Sequence, residues 1–233
     1  MCSAALSFAF VFGIIMTISP IRGSSEYAEN EEYVRLKQEL TKEPLPHLVK
    51  LGYRSKYGDI WGCAGGLIGP NEVVTTTSCA TSRPFGGDLK IVQVQNRNFS
   101  ITKINTLGEI AVILLEKSVD FVRPACLSSN SHITTAMSGG WGGLLFDNQL
   151  HAAINKEVSE TKVTVFQMTD NLIKVRPVQG SPCVVDRGGP LQISSKTAGC
   201  DYDVIGVLKE WPNCGETGSF GTYIDLAIAI EKL

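Results

Sequence analysis

Three regimes of hydrophobic patterning succeed one another along the chain. Ala4 to Ile18, "AALSFAFVFGIIMTI", is an unbroken uncharged apolar run, and "SPIRGSS" behind it is built of helix-breaking and small residues. At 15 residues the run is shorter than the roughly 20 that a bilayer-spanning helix needs. It predicts a secretory signal peptide over residues 1–23, cleaved near Gly23, although no Lys or Arg precedes the run; an uncleaved anchor is the alternative. Glu26 to Glu43, "EYAENEEYVRLKQELTKE", then carries six acids and three bases, which predicts an acidic N-terminal arm over residues 24–44. Such an arm packs on the domain, stays disordered or binds a partner.

From residue 45 onward the pattern changes to short apolar segments separated by Gly, Asn, Pro and Ser: "HLVKLGY", "GGLIG", "EVVTTT", "KIVQVQ", "EIAVILLE", "TKVTVFQM", "NLIKVRPV" and "DVIGVLKEW". Many β-branched segments at roughly ten-residue spacing predict an all-β sandwich or barrel. The last stretch, "YIDLAIAIEKL", instead places Ile224, Ala227, Ile228 and Leu233 near helical spacing, which predicts a C-terminal α-helix from Tyr223 to Leu233.

Composition sharpens this picture by exclusion. A net charge of -2 and the lack of any basic run offer no pull toward nucleic acid or a membrane surface. Loss of the signal removes Cys2 and leaves Cys63, Cys79, Cys126, Cys183, Cys200 and Cys214, an even set that implies disulfides in a secreted chain. Without a CxxC pair or a histidine-rich cluster no metal site is expected, and no cofactor either. "NFS" at Asn98 is an N-glycosylation sequon.

The motifs follow one another in a telling order. "GCAGGLIGPNEVVTTTSCA" (Gly62 to Ala80), "GEIAVILLEKSV" (Gly108 to Val119), "VRPACL" (Val122 to Leu127), "GGWG" (Gly139 to Gly142), "CVVDRGGPL" (Cys183 to Leu191) and "GVLKEWPNC…GSFGTYIDL" (Gly206 to Leu226) run from barrel to barrel. This succession resembles the chymotrypsin/trypsin family of serine proteases. The resemblance implies two packed six-stranded antiparallel β-barrels, about 45–123 and 124–233, forming a homology domain over residues 45–233 with a cleft between them.

The same resemblance assigns roles, and this chain departs from each. In the family a serine attacks the carbonyl, a histidine takes its proton and a buried aspartate orients the histidine. The histidine position is Ser78, the aspartate position Glu109 and the serine position Arg187. Ser78 has no group that titrates near neutral pH, and Arg187 stays protonated with no lone pair for attack. His47, His132 and His151 have no positional claim to replace the missing base. Two substrate-binding positions are altered as well. Val185 stands where the family has the oxyanion-hole glycine, and Pro212, in "EWP", has no N–H to pair with a substrate strand.

Further expectations rest on the alignment. Ser181 marks an uncharged floor of the specificity pocket, beside Trp211, and Gly221 matches the glycine that keeps its wall open, so a retained ligand would be anchored by an apolar or aromatic group. The family pairs Cys63 with Cys79 and Cys183 with Cys214, leaving Cys126 and Cys200 to pair with each other or with another chain. No Arg-Ile-Val-Gly-Gly junction precedes the domain, so Asp186 must find a partner other than a freed N-terminus, backbone N–H groups among the candidates. A guanidinium from Arg187 could fill the space vacated by the histidine and pair with Glu109, bracing the barrels.

The function implied is that of a secreted pseudoprotease, similar to the catalytically inactive serine protease homologs of arthropods. It would act by binding extracellular proteins (active proteases, inhibitors or receptors) as a regulator, cofactor or decoy in a proteolytic pathway. The alternatives are a serine-type endopeptidase with a rebuilt active site and a purely structural secreted protein.

Overall fold

A computed structural model describes residues 45–56, 58–83, 86–128, 133–141, 144–145, 152–153, 158–169, 171–178, 186–212 and 218–227. The expected signal peptide and acidic arm, His132, His151, Ser181, Cys183, Val185, Cys214 and residues 228–233 lie outside the described residues.

The first half closes into a barrel of β1 (Leu48–Ser55), β2 (Gly58–Gly69), β3 (Glu72–Thr76), β4 (Asp88–Val94), β5 (Arg97–Leu107) and β6 (Ile110–Leu115), joined in the order β1-β2-β3-β6-β5-β4. Alternation decides what faces in: Val49, Leu51, Tyr53, Leu67, Val73, Val92, Ile113 and Leu115 form its core. A single helical turn and a half, α1 (Thr77–Thr81), comes after β3, with Thr76 capping it by accepting the Cys79 N–H.

After the short β7 (Cys126–Leu127), the second half builds a matching ring. Strands β8 (Thr135–Gly140), β11 (Ser159–Thr169), β12 (Leu172–Pro177), β13 (Pro190–Ser194), β14 (Tyr202–Glu210) and β15 (Gly221–Asp225) run β13-β8-β11-β12-β15-β14, and the β13–β14 pairing closes it. Strand β7 adds to β14 in parallel, and β9 (Leu144–Leu145) pairs with β10 (Ala152–Ala153) beside the ring. The architecture is two closed six-stranded antiparallel barrels. The expected C-terminal helix needs correction at its start: Tyr223 to Asp225 belong to β15, because a β partner on each side, Ile173 and Leu208 opposite Tyr223, outweighs the local helical spacing. Ala227 begins a helical turn and donates its N–H to the Asp225 carboxylate; the rest of the expected helix, residues 228–233, is outside the described residues.

The barrels meet through two apolar layers. Val74 and Ile110 of the first pack on Val204, Val207 and Ile224 of the second, while Leu45, Leu48 and Ala64 pack with Trp141. This is why β1, β6 and β14 read as near-continuous apolar runs rather than alternating ones: one face fills a barrel and the other fills the interface. Cys63 is bonded to Cys79 and Cys126 to Cys200, tying α1 to β2 and β7 to the loop before β14. Closing loops of 16 and 74 residues, they limit the unfolded chain by about 3 and 4 kcal/mol respectively in the loop-entropy picture.

One buried polar pair sits in this scaffold. His47, fully buried, donates from Nε2 to Gln192 Oε1 at 2.6 Å and leans on the Tyr202 ring. Burial pushes the imidazole pKa from 6.5 down to about 4, against the smaller opposing pulls of Gln192 and Asp201. As pH falls the unfolded chain therefore takes up this proton first, so the contribution is complete above pH 6.5 and is lost on the way to pH 4, by about 3 kcal/mol. Denaturant midpoints measured from pH 7.5 to 4 check this: His47→Gln, which keeps a donor but cannot titrate, should flatten the decline, and an unchanged slope would refute the assignment.

Candidate functional site

The cleft between the barrels gathers the residues that the motif order singled out. Ser78, Glu109 and Arg187 line one cavity of about 460 Å³, together with Thr76, Thr77, Thr81, Gly108, Lys209, Glu210 and Ile224. Local bonding explains how they converge. Thr77 sends its Oγ1–H toward the carbonyls of Gly108 and Ile110 (2.8 and 2.9 Å) and its N–H to Glu109 O, which pins the β5–β6 turn against α1. Arg187 is delivered by the loop before β13, whose carbonyl accepts the Ala64 N–H at 2.8 Å.

Gly188, next in that loop, has φ +82°, and a Cβ there would lie 2.2 Å from Thr75 Oγ1 and 2.5 Å from Ala64 O. Only glycine tolerates both the dihedral and the approach. The Gly-Gly of "DRGGP" thus serves docking of one barrel on the other, independently of any nucleophile. Asp186 is fully buried and accepts the Trp141 N–H at 2.6 Å. A backbone donor holds this carboxylate.

Side-chain pairing in the cleft differs from expectation. Glu109 Oε1 lies 2.6 Å from Lys209 Nζ, so the bridge that crosses the cleft joins Glu109 to Lys209. Arg187 is exposed and has no carboxylate oxygen within 4.0 Å among the described residues, which overturns the expected Arg187–Glu109 brace. Lys209, at the end of β14, already faces Glu109 and takes its charge first. Nearby, burial pushes the Tyr53 phenol up to about 12, and its O–H donates to Cys79 O at 2.7 Å. Both partners of the Lys209–Glu109 pair are partly exposed, so its worth is that of a surface bridge, below about 1 kcal/mol. Lys209 was not singled out in the sequence; its only signal there is a cation interrupting the apolar run "VIGVL".

Could this cleft move a proton or attack a carbonyl? Ser78 Oγ lies 3.1 Å from Thr76 Oγ1, and among the described residues no imidazole lines the cavity. His47 is consumed by Gln192 in the core, and Ser195 Oγ donates to Asp203 at 2.6 Å on the β13–β14 hairpin; neither lines the cleft. Lys209 Nζ is engaged with Glu109. Among the described residues no cluster of three or more His, Cys, Asp or Glu could hold a metal ion.

Of the positions expected to bind substrate, Pro212, Trp211 and Gly221 fall among the described residues. Pro212 is an exposed turn residue just after β14. Trp211 is 4% exposed, donates its indole N–H to Ser219 at 3.1 Å and belongs to the core of the second barrel with Leu191, Leu208 and Tyr223. Its ring lies directly on Gly221, where a Cβ would meet Trp211 Cε3 at 2.2 Å. Gly221 therefore makes room for the indole; Ser181, the expected pocket floor, lies outside the described residues.

The comparisons place these features in a lineage. Residues 37–232 match the Trypsin family. The chain belongs to that family. It is 30% identical to glucanase inhibitor protein 2 of Phytophthora sojae over 213 residues, covering 78% of this chain and 72% of that one. It is 25% identical to coagulation factor XII of Cavia porcellus (72% of this chain, 36% of the factor). With serine protease snk of Drosophila melanogaster it shares 24% (78% of this chain, 51% of that one). This Trypsin-family member thus spans about a third of the coagulation factor, about half of serine protease snk and nearly three quarters of the inhibitor protein.

With the indole seated on Gly221, an aromatic amidine probe such as p-aminobenzamidine should show no fluorescence enhancement on titration to millimolar concentration. A saturable enhancement would mean that the indole leaves its seat and the pocket is open.

Proposed function

We propose that this protein is a non-cutting member of the Trypsin family that works outside the cell by binding other proteins, as a regulator, cofactor or decoy in a proteolytic pathway. The observation that carries the reading is the chemistry of the cleft: an arginine at the nucleophile position, a serine at the base position, and, among the described residues, no imidazole beside either. Loss of the serine or the histidine alone costs on the order of a millionfold in turnover in this chemistry. Trp211 on Gly221 adds a second obstacle, because a substrate side chain would have to displace a buried indole. The similarity to a protein named as a glucanase inhibitor supports the reading, since it places a protein named for inhibition on the same scaffold. Extracellular partners such as active proteases, inhibitors or receptors fit it. A rebuilt endopeptidase is the reading to defeat; its best serine–lysine pair, Ser78 and Lys209, has each member bonded elsewhere.

Purified protein incubated with casein and with arginyl and phenylalanyl p-nitroanilides should release nothing above buffer. Reinstating the family residues (Ser78→His, Glu109→Asp and Arg187→Ser together) should still leave turnover far below that of an active relative while Trp211 covers Gly221. Turnover by the unaltered protein that is lost on Glu109→Gln or Lys209→Ala would overturn the proposal.

Passage through the secretory route would also expose Asn98 to glycosylation. Asn98 is exposed on β5, two residues past the β4–β5 turn, and Gln93 Nε2 donates to its Oδ1 at 3.0 Å from the neighbouring strand. Protein from a eukaryotic secretion host should lose one glycan's mass on treatment with peptide N-glycosidase F, and Asn98→Gln should remove that shift. Secreted protein of unmodified mass at Asn98 would refute the site.

A further inference from the structure

Large hydrophobic side chains exposed among the described residues converge on one outer face of the second barrel. They are Phe166 (42% exposed), Val178 (60%) and Phe220 (39%), and none lines the cleft. On β12 the alternation sends Ile173 and Val175 inward and leaves Lys174 and Arg176 outward, with Val178 just beyond. Thr164 of β11 pairs with Arg176, and Gly221 of β15 pairs with Val175, so Phe166 and Phe220 flank the β12 cations from opposite sides.

The contacts are specific. The Phe166 and Phe220 rings meet edge to face at 6.1 Å between centroids. Arg176 holds its guanidinium 4.6 Å from the Phe166 centroid, and Lys174 holds Nζ 5.9 Å from that of Phe220. Residues 161–169 and 172–178 include Lys162, Lys174 and Arg176, with Glu160 exposed two residues before Lys162 at the start of β11, on a chain whose net charge is -2. Single exposed apolar residues are ordinary, but a contiguous aromatic pair held upright by cations is the composition of a docking patch. A ring face does not neutralise the cation above it. It strips part of the water from it, so a carboxylate arriving there gives up less hydration on pairing.

We propose that this face docks an acidic protein segment carrying an aromatic or aliphatic anchor. The anchor would cover Phe166, Phe220 and Val178, and flanking carboxylates would pair with Arg176, Lys174 and Lys162. Charge complementarity selects this occupant over a basic or neutral one. The inference deepens the partner-binding reading above by naming the partner's surface chemistry, and it rests on that reading for its biological role alone.

The test is an NMR titration of the 15N-labelled, disulfide-bonded mature protein with a blocked peptide in which one phenylalanine is flanked by glutamates. Saturable shifts should concentrate at residues 162–178 and 220–222, weaken as salt is raised, and be absent with a lysine-flanked peptide of the same length. Phe220→Ala and Arg176→Glu should each weaken the response about tenfold. The spectra themselves report whether these exposed-site variants remain folded. Equal shifts with the lysine-flanked peptide, shifts centred on the cleft, or no shifts at millimolar peptide would overturn the proposal. So would resonances of this face that move with protein concentration alone, which would assign it to a second copy of the chain. A failed titration leaves the hydrolysis result standing, and turnover in that assay leaves the titration standing, so the two readings fail separately.

Discussion

The close approach of the loop before β13 to the first barrel is the constraint on which the rest of the structure depends. The bond from Ala64 N–H to Arg187 O, and the absence of a side chain at Gly188, let the loop sit against Thr75 and Ala64. That docking fixes the floor of the cleft, and with it the spacing of Ser78, Glu109 and Arg187. Because it is made by backbone atoms and a glycine, it survives replacement of every side chain that would carry out catalysis.

Two stabilising contacts lie in and beside the cleft. Lys209 and Glu109 span the cleft with a screened ion pair, and Trp211 turns into the barrel core, where its indole N–H finds Ser219. Burial of an indole removes on the order of 200 Å² of apolar surface from water, a larger gain than a half-exposed ion pair gives. Of the two, the tryptophan does more for stability. Asp186, a residue whose family partner is a freed N-terminus, accepts the Trp141 N–H in its buried seat.

Particular elements show where sequence patterning succeeded. Strands β1, β4, β6, β11, β12 and β14 were legible because their apolar residues fill a barrel or the interface. Strand β5, "RNFSITKINTL", was not, since it is largely exposed and takes its order from β4 and β6. Tyr223 to Asp225 misled in the opposite direction: helical spacing of apolar residues there coexists with strand pairing on both sides, to β12 and β14. Local period is a weak vote when two neighbouring strands supply a full set of backbone hydrogen bonds.

By itself the sequence determined which atoms are available at each position: no nucleophilic oxygen at Arg187, no imidazole at Ser78, no N–H at Pro212. Those are properties of residue type, and no fold can alter them. Only the tertiary structure decided partners and directions. It chose Lys209 over Arg187 for Glu109, laid Trp211 on Gly221, and set Phe166 against Phe220 with cations on both rings. Each choice joins residues from separate strands or loops, and depends on which side chain reaches first across a distance that strand register and barrel packing set. No local pattern in the chain encodes that distance.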